Sequence, residues 1–446
     1  MSQFNWIGLE FKRRGWLARD IDLDAFVACR TYLEERALET TAPATPYALL
    51  CPGVITALPA EAAALEATLI DTGPEPFEPP LPARMPAPMP ARMPAPMNNP
   101  LEPSGDPLAA YGYYRLGPIL AAFARWVAEL PFVKDRPVFG VMRDGGFLAT
   151  ALRTVRPAGT VGELWLSRRL CLAGAVRSAE DRESLINLLV RARGQPAGMA
   201  EAAVDLGLEG EPVPDNPDSF LDRLTEPARK EKLEAHCRAI RQSILAHLDS
   251  LKIFDRGGMV LLDIGYAGTI QRTLDAILRI EQRSIPIQGA YLLTSPGLIW
   301  MLRHGSGHAA GFLAHLGGPS RLARVFLESR EVFETFCASP LGPLLGYDER
   351  GQPVLGPTVL PAAQIAEIQR LQQGALAFCA AAAPPLSRAE AQQATLTLLA
   401  APRPEEAALI GAWLYDDPLA IGRPRGLLER IEGAARPVLW PGGAGR

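Results

Sequence analysis

The chain has little of what would announce a chemistry. No CxxC pair occurs among its six cysteines (Cys29, Cys51, Cys171, Cys237, Cys337, Cys379). Their dispersion fits buried reduced thiols better than a disulfide framework. No run approaches the 18 or more apolar residues of a membrane span, and the N-terminus (MSQFNWIGLEFKRRGW) lacks the apolar core of a signal peptide. A cytoplasmic location is the expectation. The formal net charge of −4 gives no reason to expect nucleic acid or an anionic membrane as partner. Walker loops, GxGxxG, HExxH and a Ser/His/Asp arrangement are all missing from the sequence.

What is present in excess is proline, 42 residues of 446, and much of the surplus lies in one place. PARMPAPM occurs in tandem at Pro82–Met89 and Pro90–Met97. Proline at that density keeps neither a helix nor a central strand, so 74–108 reads as an extended spacer. It separates a small, mostly helical region (1–73), suited to packing or to docking a protein partner, from the rest of the chain. Apolar content of 48% leaves ample material for a core of two or three domains.

Beyond the spacer, an amphipathic helix is expected over Tyr111–Leu130, its regular part starting near Gly117 ahead of Pro118. Pro137–Met142 then reads as a strand, Arg143-Asp144-Gly145-Gly146 as a tight turn, and Phe147–Val155 as a helix. A third segment, Glu163–Leu166, reads as a strand ending in Ser167-Arg168-Arg169. Residues 178–251 look helical, with Ser178 and Asp181 as a capping box, and form an insertion. Met259–Leu262 is a buried strand that stops at Asp263, followed by the glycine-spaced loop Ile264–Thr269 and a helix carrying Ile270, Leu274, Ile277 and Leu278 on one face. Ile287–Leu293 makes a further strand. From about residue 300 strands are hard to place and the chain reads as mostly helical cover ending in a frayed Pro/Gly-rich tail. The fold expected for 109–300 is α/β, Rossmann-like and mainly parallel, with a helical insertion and a helical C-terminal region over 301–446.

Strand, acid, glycines and helix start occur at both 137–155 and 259–277. That arrangement suits an anionic ligand: a helix N-terminus offers free N–H groups, and glycines let the ligand approach the backbone. Asp263 and Asp144 are therefore the candidate catalytic acids. Arg143, Gly145, Gly146, Ser167, Arg168, Gly265, Tyr266, Gly268 and Thr269 are the candidate ligand contacts. A Mg²⁺ bridging Asp263 to a phosphate is the cofactor this arrangement allows. Each residue also has a plainer role: Asp263 as a cap of the following loop, Thr269 as a helix cap, Arg143 and Asp144 as partners of one another or of Arg168, Ser167–Arg169 as a solvated turn. His304 and His308 have i, i+4 spacing, but Gly305 and Gly307 between them argue against a helix and so against a metal pair. Glu328, Glu331 and Glu334 have helical spacing that could bring one carboxylate to the cleft, although a solvated helix face is the plainer account.

The segments GYYRLGPILAAFARWV, FGVMRDGGFLATAL with LWLSRRL, and VLLDIGYAGTIQRTL together resemble the C-terminal region of certain bacterial proteins. These are described as hydrolases of the haloacid-dehalogenase superfamily and are associated with surface-polysaccharide and glycosyltransferase genes. The likeness spans about residues 109–345. The superfamily's DxDxT signature is absent from 1–108, and in Asp263-Ile264-Gly265 a glycine stands where the second aspartate belongs. An aspartate nucleophile without its proton partner is impaired at the leaving group, so phosphatase activity is not carried over. A looser similarity is to type I phosphoribosyltransferases: Arg143–Gly146 is similar to their pyrophosphate turn and Asp263–Thr269 to their ribose 5-phosphate loop, with one acid instead of two. Both resemblances imply a phosphorylated small-molecule ligand, a sugar phosphate or nucleotide.

Overall fold

The computed structural model describes residues 105–444 apart from 158, 192–195, 215–216, 296–297, 299–307, 317–319, 382–383, 417–423 and 431–437. The 1–73 region, nearly all of the proline-rich spacer, and His304 lie outside the described residues.

A short helix (Pro107–Tyr111) passes through a π-helical stretch into α1 (Gly117–Glu129). There follow β1 (Val138–Val141), α2 (Asp144–Val155), β2 (Val161–Leu164) and α3 (Arg168–Ala175). The insertion comprises α4 (Arg182–Arg191), α5 (Pro196–Asp205), α6 (Pro217–Leu224) and the long α7 (Pro227–Ser250). The chain re-enters the sheet with β3 (Met259–Tyr266), α8 (Thr269–Ile280), β4 (Ile287–Thr294) and β5 (Ala309–Ala314). The C-terminal part adds α9 (Ser320–Glu328), α10 (Arg330–Phe336), a β6–β7 hairpin (Leu344–Tyr347, Pro353–Leu355), α11 (Ala362–Ala380), α12 (Arg388–Ala400), α13 (Pro404–Ile410) and a small β8–β9 pair (Leu414–Tyr415, Arg425–Gly426).

The central sheet has five strands, all parallel, in the order β2-β1-β3-β4-β5. This is an α/β Rossmann-like fold. Its inner strands are apolar on both faces, as a sheet covered by helices on two sides requires. Along β3, Met259 and Leu261 pack with α3, α7 and α8, whereas Val260, Leu262 and Ile264 pack with α1, α2, α9, α10 and α11. The helix after β1 (α2) thus lies on one face and the helix after β3 (α8) on the other. Where neighbouring strands send their crossovers to opposite faces, a crevice opens at their carboxyl ends. Here that point is between β1 and β3.

Several expectations shift. β3 does not stop at Asp263 but continues through Gly265 and Tyr266, which pair with Leu293 and Thr294 of β4. Only Ala267 and Gly268 are left for the loop. β2 begins at Val161, two residues before the expected start, because its register with Val138 fixes it there. A fifth strand follows residue 300, where mostly helical cover was expected and no strand could be placed. Asp181 caps α4 through Ser184 N–H (3.2 Å) without needing Ser178. The tail is not frayed throughout: Trp440 is fully buried and its indole donates to the Leu399 carbonyl (2.9 Å). Among the described residues no helix is long and apolar enough to cross a membrane.

Candidate functional site

Gly140 of β1 pairs with Leu262 of β3, and the two strands part company just beyond. β1 ends at Val141 while β3 runs on beside β4 to Tyr266. The overhang leaves Asp263 and the residues after it facing open space on the β1 side. A cavity of about 330 Å³ occupies it. Its lining includes Asp263, Gly265, Tyr266, Gly268, Thr269 and Arg168, six of the residues singled out in the sequence, together with Tyr291, Ser295 and Arg330. Arg143, Asp144, Gly145, Gly146 and Ser167 border the crevice without lining this cavity.

The loop geometry has local causes. Gly265 has φ +120°, and a Cβ there would sit 2.1 Å from the Leu293 carbonyl oxygen. No aspartate fits at that position, whatever chemistry the chain performs. Gly268 takes the left-handed conformation (φ 63°) as the residue that starts α8, so Thr269 is the first helical residue and not the cap. On the β1 side, Asp144 is the first residue of α2, after a cis Met142–Arg143 peptide. Gly145 is buried against backbone, with the Leu262 oxygen 2.6 Å from where its Cβ would be. That glycine is demanded by packing. Gly146 faces only the flexible Met142 side chain.

Asp144 and Asp263 reach the crevice from different faces. By strand alternation Asp263 belongs with Leu261 on the α3/α8 side, and Asp144 opens a helix on the other. They remain near enough to interact because both lie at the sheet's carboxyl edge. Burial, followed by the charges of Glu334 and Asp263, pushes the Asp144 carboxyl well above its ordinary value. Burial raises Asp263 to about 7, against the lowering effect of the Ile264 N–H (2.8 Å to Oδ1) and of Arg168. Among the described residues the Asp144 carboxylate has no hydrogen-bond or ion-pair partner.

Two candidate residues are occupied structurally. Arg143 pairs with Asp416 (2.8 Å), so it meets a carboxylate of the chain itself and not Asp144. Ser167 caps α3 by accepting from Leu170 N–H (3.2 Å). Next to it, Arg169 turns away to Asp205 of the insertion (3.4 Å), while Arg168 points into the cavity.

Of the two readings open for the 328–334 glutamates, α10 follows the second and brings one carboxylate to this crevice. Among them Glu328 is exposed, Glu331 is buried at 3% exposure against Arg330, and Glu334 lies at the crevice. Glu334 accepts hydrogen bonds from the hydroxyls of Tyr266 (2.9 Å) and Tyr415. Burial raises its carboxyl too. The signal that existed was the helical spacing of Glu328, Glu331 and Glu334, with Glu334 set between Phe333 and Phe336 in VFETF. Tyr415 and Asp416 carried none.

His247 proves structural: buried, it holds Gly351 O through Nδ1 (2.8 Å) and receives Trp165 N–H at Nε2 (3.2 Å). His308 lies just before β5 and lines a wider hollow, about 510 Å³, at the opposite edge of the sheet with Pro131, Phe132, Asp135, Arg136 and Gln288. That hollow gathers no group of acids. Among the described residues no three His, Cys, Asp or Glu side chains come together as a metal site.

Compared with known proteins, the chain matches no family model and no curated sequence.

Proposed function

We propose that the β1/β3 crevice binds a phosphorylated sugar or nucleotide. The observation that carries this reading is the overhang of β3: it sets Asp263, the Gly268 turn and the N-terminus of α8 around one cavity, with Arg168 on its wall. The helix N-terminus and the arginine suit a phosphate. A carboxyl held near 7 is suited to accept from a ring hydroxyl or to exchange a proton at neutral pH. In a transferase or hydrolase of surface-glycan metabolism, the reaction class suggested by the sequence resemblances, Asp263 would hold or deprotonate a ligand hydroxyl. Arg168 and the start of α8 would balance charge on the phosphate, and Asp144 would take part from across the crevice.

A second reading, a binding module without turnover, is favoured by one specific observation. The position that would bear a second strand acid is Gly265, where the Leu293 carbonyl excludes any side chain.

Thermal-shift screening with phosphoribosyl pyrophosphate, sugar phosphates and nucleotide sugars, with and without Mg²⁺, tests the site. Stabilisation by one of these that disappears in Asp263→Asn is expected. No shift with any of them sinks the reading, and binding without turnover of the bound compound selects the module.

A further inference from the structure

Two arginines face the cavity with donors to spare, and they come from opposite sides of the sheet. Arg168 begins α3, in the layer shared with α7 and α8. Among the described residues it makes no hydrogen bond or ion pair. Arg330 begins α10, whose Val332, Phe333 and Phe336 pack in the other layer with α1 and α11. Its ion pair to Glu331 runs through Nε (3.2 Å). Its two terminal nitrogens make no hydrogen bond among the described residues. Glu331 is buried and fixed, so Arg330 is held at its base while its outer edge remains free. Tyr266, which lines the cavity beside it, is anchored to Glu334 of the same helix. α10 is therefore tied to the end of β3, which gives Arg330 a defined place on the wall.

A guanidinium edge with unfilled N–H groups is a directional receptor for phosphate or carboxylate oxygens. The α8 N-terminus lies in the same cavity, and the volume of about 330 Å³ is near the lower limit of small-molecule sites, roughly 300–1,000 Å³. That space accommodates one ring with its phosphate.

We propose that Arg330 is a second anion ligand of the crevice, closing with Arg168 on one phosphate group of a single-ring phosphorylated compound. The proposal rests on the reading of the crevice as a phosphosugar or nucleotide site, and assigns to the C-terminal region a direct part in recognition. The phosphate, bridging the two helix layers, is what distinguishes the ligand from its unphosphorylated counterpart.

Titration calorimetry of the full chain with ribose 5-phosphate, with inorganic pyrophosphate and with ribose tests it. Wild-type protein is expected to bind at least one phosphorylated probe and to ignore ribose. Arg168→Gln and Arg330→Gln are each expected to weaken that probe ten-fold or more, and the double variant to lose less than the product of the two, because both hold one group. Arg330→Lys, which keeps charge but not the planar fork, recovers only part. Circular dichroism and the melting temperature show whether each variant is folded. Independent, fully multiplicative losses, or an Arg330→Gln variant that folds and binds as wild type, overturn the clamp. If Asp263→Asn abolishes binding while Arg330→Gln leaves it intact, the crevice reading survives and this one fails. If no phosphorylated probe binds the wild type, both fall.

Discussion

Asp263 ionises about 7 in the folded chain, whereas an unfolded aspartate ionises near 4. Between those values the folded state holds a proton that the unfolded state has lost, so stability falls as pH rises across the window. The effect of this one carboxyl is at most about 4 kcal/mol above pH 7. Asp144 and Glu334 are shifted in the same direction and add to the slope. Asp263→Asn keeps an oxygen for the Ile264 N–H but removes the ionisation. It is expected to melt higher than wild type at pH 8, with the gap narrowing as pH falls below 7 and closing only below about pH 4; a slope unchanged by the substitution would contradict the assignment. The two glycines of the RDGG turn separate equally clearly. Gly145→Ala drives a methyl into the Leu262 and Gly140 backbone and should cost about 1–3 kcal/mol in urea denaturation. Gly146→Ala meets only the Met142 side chain and should cost less than about 1 kcal/mol. The sequence marked both glycines as ligand contacts because glycine spacing alone does not tell close packing from close binding.

At the scale of elements, the strands and crossovers were legible because their signals are local. β1, β3 and β4 are short apolar runs bounded by polar turns, and α1 and α8 show their stripes at helical spacing. The length of β3 was not legible. Asp263 and Gly265 look like loop residues, and they stay in the strand because β4 runs alongside with Leu293 and Thr294 as partners. Pairing across the sheet outweighs local preference. Gly265→Ala tests this directly. With φ +120° and the Leu293 oxygen 2.1 Å from the new Cβ, the β3–β4 pairing beyond Asp263 should break. Amide exchange of Tyr266 and Leu293 should then accelerate by orders of magnitude while Val260 and Leu261 stay protected. Uniform protection in that variant would mean that the overhang does not depend on this glycine.

At the scale of the whole molecule, one core crosses what looked like separate regions. α1 and α2 share it with α9 to α13 and with Trp440, more than 300 positions along the chain from α1. Composition could not reveal that sharing, since an apolar helix face does not name its partner. Trp440 is the far end of this packing, and Trp440→Ala should destabilise the entire fold by about 3–5 kcal/mol, seen as one cooperative transition at lower temperature. The same long-range packing brings α10 to the crevice and gives the site its Arg330, Glu334 and Tyr415. Asp263 and Asp144 could be nominated from sequence because each follows an apolar strand. From α10 only the row of glutamates could be nominated, without Arg330 and without choosing Glu334, because nothing local links residues 330–334 to 263. The most direct measurement of where a ligand binds is hydrogen–deuterium exchange of the full chain with and without the phosphorylated compound that stabilises it most. Protection is expected together at residues 143–147, 263–270 and 329–335, spanning the carboxyl ends of β1 and β3. Protection confined to 131–136 and 288, around the hollow at the opposite edge, would contradict the crevice as the binding site.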